Sequence, residues 1–160
     1  MSAEIKAFPS DDVNSSSRAR WMTLLAEAPV ADIEHHWQTL PHPSFKWIRR
    51  PEFGSAMVRG RASGTGAQFN LGDVTITRCT LQLITGEIGV SYVMGRDKRH
   101  AALAALFDAM LQHEKATSEG VVGKCVRAIA EQELRRRQNI ARETKTTKVD
   151  FTMLTRGDDQ

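Results

Sequence analysis

The sequence predicts an α+β fold in which a mainly antiparallel sheet packs against helices within a single domain. Three observations carry that expectation. Apolar residues recur at helical spacing near residues 17–28 and again from Lys98 to His113. Two β-branched runs, 74–84 and Ile88–Met94, flank Thr85-Gly86-Glu87 in the manner of a hairpin. The elements follow in the order helix, helix, strands, helix, helix, strand, without the regular β-α alternation of a parallel sheet. At 160 residues, 41% hydrophobic and 26% charged, one domain with its own core accounts for the chain. Folding at this size buries roughly 70% of the unfolded surface, so metal or disulfide staples are not required.

Residues 1–14 are polar and without period and carry Pro9, which reads as a flexible leader, leaving 15–160 as the domain. Ser15-Ser16-Ser17 suits the cap of a helix over about 17–28, with Trp21, Leu24, Leu25 and Ala28 in one stripe. Pro29 restarts the chain, and a second helix over about 30–40 aligns Val30, Ile33, Trp37 and Leu40, with His35 and His36 at the stripe's edge. Pro41 and Pro43 end it. Residues 45–49 and 56–62 read as two strands around a turn at Pro51-Glu52-Phe53-Gly54. In the second, Ala56, Val58, Gly60 and Ala62 alternate with Met57, Arg59, Arg61 and Ser63.

After Gly64-Thr65-Gly66, the strand at 74–84 places Thr75, Thr77, Cys79, Leu81 and Leu83 together and Val74, Ile76 and Arg78 opposite. Apolar character on both faces marks a central strand. In the next strand Ile88, Val90, Tyr92 and Met94 share a face. The period changes at Gly95-Arg96-Asp97, and a helix from Lys98 to His113 follows, capped by Asp97, with Leu103, Leu106, Phe107, Met110 and Leu111 inward. A break at 115–120 precedes a last helix that starts at Val122 and runs, with or without an interruption, to about Glu143; its second half is mostly charge, and 148–155 alternates like a closing strand.

Twenty-two bases against 19 acids give a net charge of +3, too small an excess to demand nucleic acid. Position says more than the total. Between Lys124 and Lys148 stand eight bases and three acids (Glu131, Glu133, Glu143), so the alternative function is a stand-alone nucleic-acid-binding module that uses the basic helix from Arg127 to Lys148. Single-strand readers add exposed aromatics, and this segment has none before Phe151. Cys79 and Cys125 lack metal or redox spacing and read as reduced thiols. No basic-then-apolar signal opens the chain and no apolar run approaches a membrane span, so a cytoplasmic protein is expected.

The chemistry-bearing candidate is Gly95-Arg96-Asp97-Lys98-Arg99-His100, where a strand ends, glycine permits an unusual turn and a helix begins among cations. Free backbone N–H groups and the positive end of the helix dipole, joined by basic side chains, suit phosphate or phosphonate. Gly95, Arg96, Asp97, Lys98 and His100 are therefore the candidate substrate or subunit contacts, with Arg78 and Arg156 as lesser ones. Gly64-Thr65-Gly66 lacks the lysine of a phosphate loop and leads into a strand. The histidines have no metal-ligand spacing, and no nucleophile elbow exists. Catalytic residues are thus unassigned, and no metal site is expected.

Four blocks in order resemble the PhnG family, small subunits of the bacterial carbon-phosphorus lyase machinery. They are Arg20-Trp21-Met22; Gly64-Thr65-Gly66 with Phe69 and Gly72-Asp73-Val74-Thr75-Ile76-Thr77-Arg78; Gly89-Val90-Ser91-Tyr92-Val93-Met94-Gly95-Arg96-Asp97-Lys98-Arg99-His100-Ala101; and Val149-Asp150-Phe151 with Arg156-Gly157-Asp158. The resemblance spans about residues 20–159, and the leader before Trp21 departs from it. It implies an accessory subunit of a two-fold core complex with PhnH, PhnI and PhnJ, helped by the ATPase-like PhnL and containing two or more copies of this chain. The implied reaction transfers the ribose triphosphate of ATP to an alkylphosphonate with release of adenine, which makes α-D-ribose 1-methylphosphonate 5-triphosphate. A later radical iron-sulfur step falls to PhnJ and the glycosyl chemistry to PhnI. No cofactor is implied for this chain alone; ATP and magnesium are substrate of the complex.

Overall fold

The computed structural model describes residues 15–61, 66–114 and 120–146. In chain order these form α1 (Ser15–Glu27), α2 (Val30–Trp37), β1 (Phe45–Arg61), β2 (Gln68–Leu83), β3 (Ile88–Met94), α3 (Lys98–His113) and α4 (Val121–Thr146). The three strands make one antiparallel sheet in the order β1-β2-β3, and the α+β class is as the sequence predicts. The expected leader at 1–14, the closing strand at 148–155 and Arg156 lie outside the described residues.

α3 is the hub. It packs against all three strands and against α1, α2 and α4, and Ala101 and every residue from Leu103 to Leu111 are buried. Phe107, fully buried, contributes roughly 2–3 kcal/mol of transfer free energy. Thr77, Cys79, Leu81 and Leu83 of β2 and Val93 of β3 face it across the core. α1 runs antiparallel to α3, since Arg18 meets Asp108 while Leu25 meets His100. Trp21, Leu25 and Ala28 are buried as their spacing predicts. In α2, Ile33 is buried, and the helix ends at Trp37, with Leu40 buried in the turn beyond it.

The structure changes two expectations and refines two more. First, residues 45–49 and 56–61 are one strand: β1 runs through Pro51 with register shifts between Trp47 and Arg49 and between Arg49 and Glu52. A proline lacks the N–H a ladder needs, but β1 is an edge strand and the irregular pairing there leaves Pro51 without a ladder bond to make. Second, β2 begins at Gln68, because pairing with the continuous β1 carries it through Phe69 and Leu71. Third, Ile88, Val90, Tyr92 and Met94 do share a face, but it is the face turned away from α3. Gly89, Ser91 and Val93 fill the covered side. A Cβ on Gly89 would stand 1.9 Å from the Ala105 carbonyl oxygen, so α3 approaches the strand too closely for any side chain there. Fourth, α4 is uninterrupted to Thr146. Val122, Val126 and Ile129 are buried, whereas Arg135 to Thr144 are exposed throughout. The Glu114 carboxylate accepts from the N–H groups of Val122 and Gly123 and so caps α4 from the end of α3.

Candidate functional site

The turn from β3 to α3 is pinned on both sides. Gly95 adopts φ +94°, a left-handed conformation glycine takes at little cost. Its N–H donates to the Thr75 carbonyl at 2.8 Å, and its own carbonyl accepts from Thr77 Oγ1 at 2.7 Å. Asp97 caps α3 by accepting from the His100 N–H at 2.9 Å. The His100 ring is buried, with Nε2 2.7 Å from the Leu25 carbonyl, and ties the first turn of α3 to the end of α1. Gly95, Asp97 and His100 therefore give the turn its shape.

The cations around it divide. Arg99 Nε donates to Glu34 at 2.9 Å. Lys98 Nζ stands 4.8 Å from the centre of the Phe53 ring, a cation–π contact. Arg96 is exposed and makes no ion pair among the described residues. Arg78 lies on the open sheet face in the row Glu52-Arg78-Tyr92, where Nε donates to Glu52 at 2.9 Å. It is separated from the turn by the row Gly54-Ile76-Met94. The structure thus brings Gly95, Arg96, Asp97, Lys98 and His100 into one turn and sets Arg78 apart on the sheet. The described residues hold no group of three or more His, Cys, Asp or Glu that suits a metal ion.

Residues that the sequence patterns did not single out organise the other end of α1. Asp108, on α3 and with its side chain 1% exposed, accepts from Arg18 Nε at 3.0 Å and Nη2 at 2.7 Å, from Trp21 Nε1 at 2.9 Å and from the Val90 N–H at 2.9 Å. Hydrogen bonding to this carboxylate raises the Arg18 guanidinium above its ordinary value, against the effect of burial. Asp108 is the lone charge in the apolar run Ala101 to Leu111, a sequence signal for a buried, paired carboxylate. Arg18 and Trp21, three apart, share a helix face and reach it together.

Two features bear on what the surface can do. An open groove of about 270 Å³ between α1 and β3 is lined mainly by apolar groups, among them Met22, Leu25, Ala26, Val90, Tyr92 and Ala104. On the basic helix, Arg136 and Arg137 both donate to Glu133, at 2.8 Å each, and Arg137 also reaches Glu27 at 2.5 Å. Burial pushes the Glu133 carboxyl up, yet the hydrogen bonds from Arg137 and Arg136 hold it below its ordinary value. Part of the positive charge that suggested nucleic acid is therefore neutralised within the fold. Among the described residues no helix is long and apolar enough to cross a membrane.

Comparison with known proteins agrees with the four sequence blocks. The family model described as phosphonate metabolism protein PhnG matches residues 16–157. A relative from Rhizobium meliloti (strain 1021), named alpha-D-ribose 1-methylphosphonate 5-triphosphate synthase subunit PhnG, is 40% identical over 153 residues, covering 94% of this chain and 96% of its own. Identity of that level along almost the whole of both chains leaves one assignment: this chain belongs to the PhnG family.

Proposed function

We propose that this chain is a subunit of an α-D-ribose 1-methylphosphonate 5-triphosphate synthase in organophosphonate breakdown, active only within its assembly and working in the cytoplasm. The observation that carries this is the 40% identity, over 94% of the chain, to the R. meliloti subunit of that name. In the reaction a phosphonate oxygen attacks C1′ of the ATP ribose, the bond to adenine breaks, and adenine leaves with a proton. Displacement at C1′ needs a group to polarise the base and a site for the triphosphate. The described residues offer charge and shape for such a triphosphate site, because Arg96 and Lys98 are exposed cations on a turn that Gly95, Asp97 and His100 hold rigid. This turn, with Arg78 and Arg156 as further candidates, lines a path for the polyanion or a contact to the next subunit.

The partners in this reading are PhnH, PhnI and PhnJ in a core with two or more copies of this chain, with PhnL acting on it. Magnesium-bound ATP is substrate of the assembly, and the chain alone binds no cofactor. Co-expression with those subunits, followed by size-exclusion chromatography and mass measurement, should yield one complex that releases adenine from ATP when given methylphosphonate. The pure chain should release none. A host whose copy is deleted should not grow on methylphosphonate as sole phosphorus source; growth would overturn the requirement. Reversing charge at both Arg96 and Lys98 should leave the chain folded and lower adenine release at least tenfold, and unchanged assembly together with unchanged turnover would remove the turn from the site.

A further inference from the structure

We propose that residues 149–155 of this chain lie along the outer edge of β3 as a fourth, antiparallel strand, with Phe151 and Met153 seated in the groove between α1 and β3. The proposal concerns the chain by itself and goes beyond its reading as a synthase subunit.

Hydrogen bonding defines the edge. β3 ends the sheet and pairs on one side only. The bonds from the Leu83 N–H to the Glu87 carbonyl and from the Gly95 N–H to the Thr75 carbonyl set the alternation of the ladder. Gly89, Ser91 and Val93 therefore turn their backbone groups to β2, and Ile88, Val90, Tyr92 and Met94 turn theirs outward. The first outward groups are taken. The Ile88 carbonyl accepts from Arg18 and Gln112, and the Val90 N–H donates to Asp108. Beyond them the Val90 carbonyl, both backbone groups of Tyr92 and the Met94 N–H have no partner among the described residues. Such an open row is a template for another strand, and folded proteins manage it by covering it.

The groove beside this edge says what the added strand must carry. Its walls are mainly apolar, with Met22, Leu25 and Ala26 from α1 and Ala104 from α3. A strand on the edge points alternate side chains toward the helices and toward the open face, so one set must be apolar while the other can meet water. Residues 149–155 have that pattern: Val149, Phe151 and Met153 alternate with Asp150, Thr152 and Leu154. The β3 of a second copy lacks it. Its helix-facing residues Gly89, Ser91 and Val93 are small and pressed against its own α3, so they leave the groove unfilled.

The segment also comes within reach. Glu27 lines the groove next to Leu25 and Ala26, and it pairs with Arg137 of α4 at 2.5 Å. From Arg137 the helix runs nine residues further to Thr146, about 13.5 Å at 1.5 Å per residue. The five residues from Thr146 to Phe151 reach up to about 17 Å when extended, so Phe151 can return to the groove. Leu25 lies beside His100 in the first turn of α3, so Glu27 marks the end of β3 near Met94. A segment that enters there and runs toward Val90 is antiparallel to β3, as every other pair in the sheet is. Tethered so closely, it acts at an effective concentration on the order of millimolar, ahead of a separate chain.

The test follows amide exchange by NMR in the full chain. Tyr92 and Met94 should exchange at least tenfold more slowly in wild type than in Phe151→Asp combined with Met153→Asp. Ser91 and Val93, which bond to β2, should exchange alike in both proteins and so report that the fold persists. Leu154→Asp, on the other face of the segment, should keep the protection. In wild type, cross-strand NOEs should join the Tyr92 and Met94 amides to protons of 149–155, and these decide alone should the double variant unfold. Equal exchange in wild type and double variant, or wild type without those NOEs, would overturn the proposal. Protection that rises with protein concentration would give the edge to a second copy, and protection found only in the complex with other synthase subunits would give it to one of them; either result overturns the choice of segment. None of these outcomes bears on the synthase reading, which adenine release tests separately.

Discussion

Replacing Asp108 by alanine tests whether one buried carboxylate fastens α1 to α3 and β3. The substitution leaves the buried Trp21 indole N–H and the Val90 N–H without their acceptor. Each orphaned donor costs about 1–3 kcal/mol. It also strips the counter-charge from Arg18, but that side chain is 38% exposed and can turn to water, so its share is well below the 3–5 kcal/mol of a fully buried broken pair. The total is about 3–5 kcal/mol. For a chain of this size each kcal/mol moves the melting temperature by about 2–4 °C, so thermal unfolding followed by circular dichroism should shift down by roughly 6–20 °C. Asp108→Asn keeps the shape and one acceptor oxygen but turns an amide donor toward another donor, and should fall between the alanine variant and wild type. Arg99→Ala removes an ion pair whose members are 58% and 40% exposed, and should cost no more than about 1 kcal/mol. An Asp108→Ala protein melting within 2 °C of wild type, on the order of the smallest shift expected per kcal/mol, would refute the reasoning.

Gly89→Ala should be worse than its size suggests: the new Cβ meets backbone at 1.9 Å and the Ala109 methyl at 2.9 Å, so α3 must leave the sheet, and urea unfolding should show a loss of about 3 kcal/mol or insoluble protein. Glu87 gives a pH signature. Hydrogen bonds from Thr85 and then His113 hold its carboxyl at about 2 instead of 4.5, so its contribution is present above pH 4.5 and lost as pH falls toward 2. Melting curves of Glu87→Gln should therefore decline less steeply than wild type across that window. Burial raises both thiols, Cys79 to about 11, and Cys79 is the buried one; alkylation of the native protein at pH 8 should modify Cys125 slowly and spare Cys79, and both should react once the chain unfolds.

Much of the candidate turn was legible because its causes are local. The shift from period two to 3.6 at Gly95, the Asp97 cap and the cations beside them stand next to one another in the chain, and α3 has the bounds they predict. The roles of the side chains were less so. His100 is tied to Leu25 and Arg99 to Glu34, partners 75 and 65 residues away, and only folding shows that these groups are spoken for. Asp108 was missed for the same reason, since Arg18 is 90 residues distant. A charge inside an apolar helix announces a partner without naming it.

By itself the sequence determined the class, the order of elements and the sets of residues that point the same way, because side-chain direction follows from backbone period alone. Tertiary structure decided which set is covered. On β3 the apolar set Ile88, Val90, Tyr92 and Met94 lies open, because α3 sits so close at Gly89 that the inward side has room mainly for small groups. On β1 the ladder with β2 overrode the local turn preference around Pro51, since pairing along the rest of the strand outweighs one irregular stretch at a sheet edge.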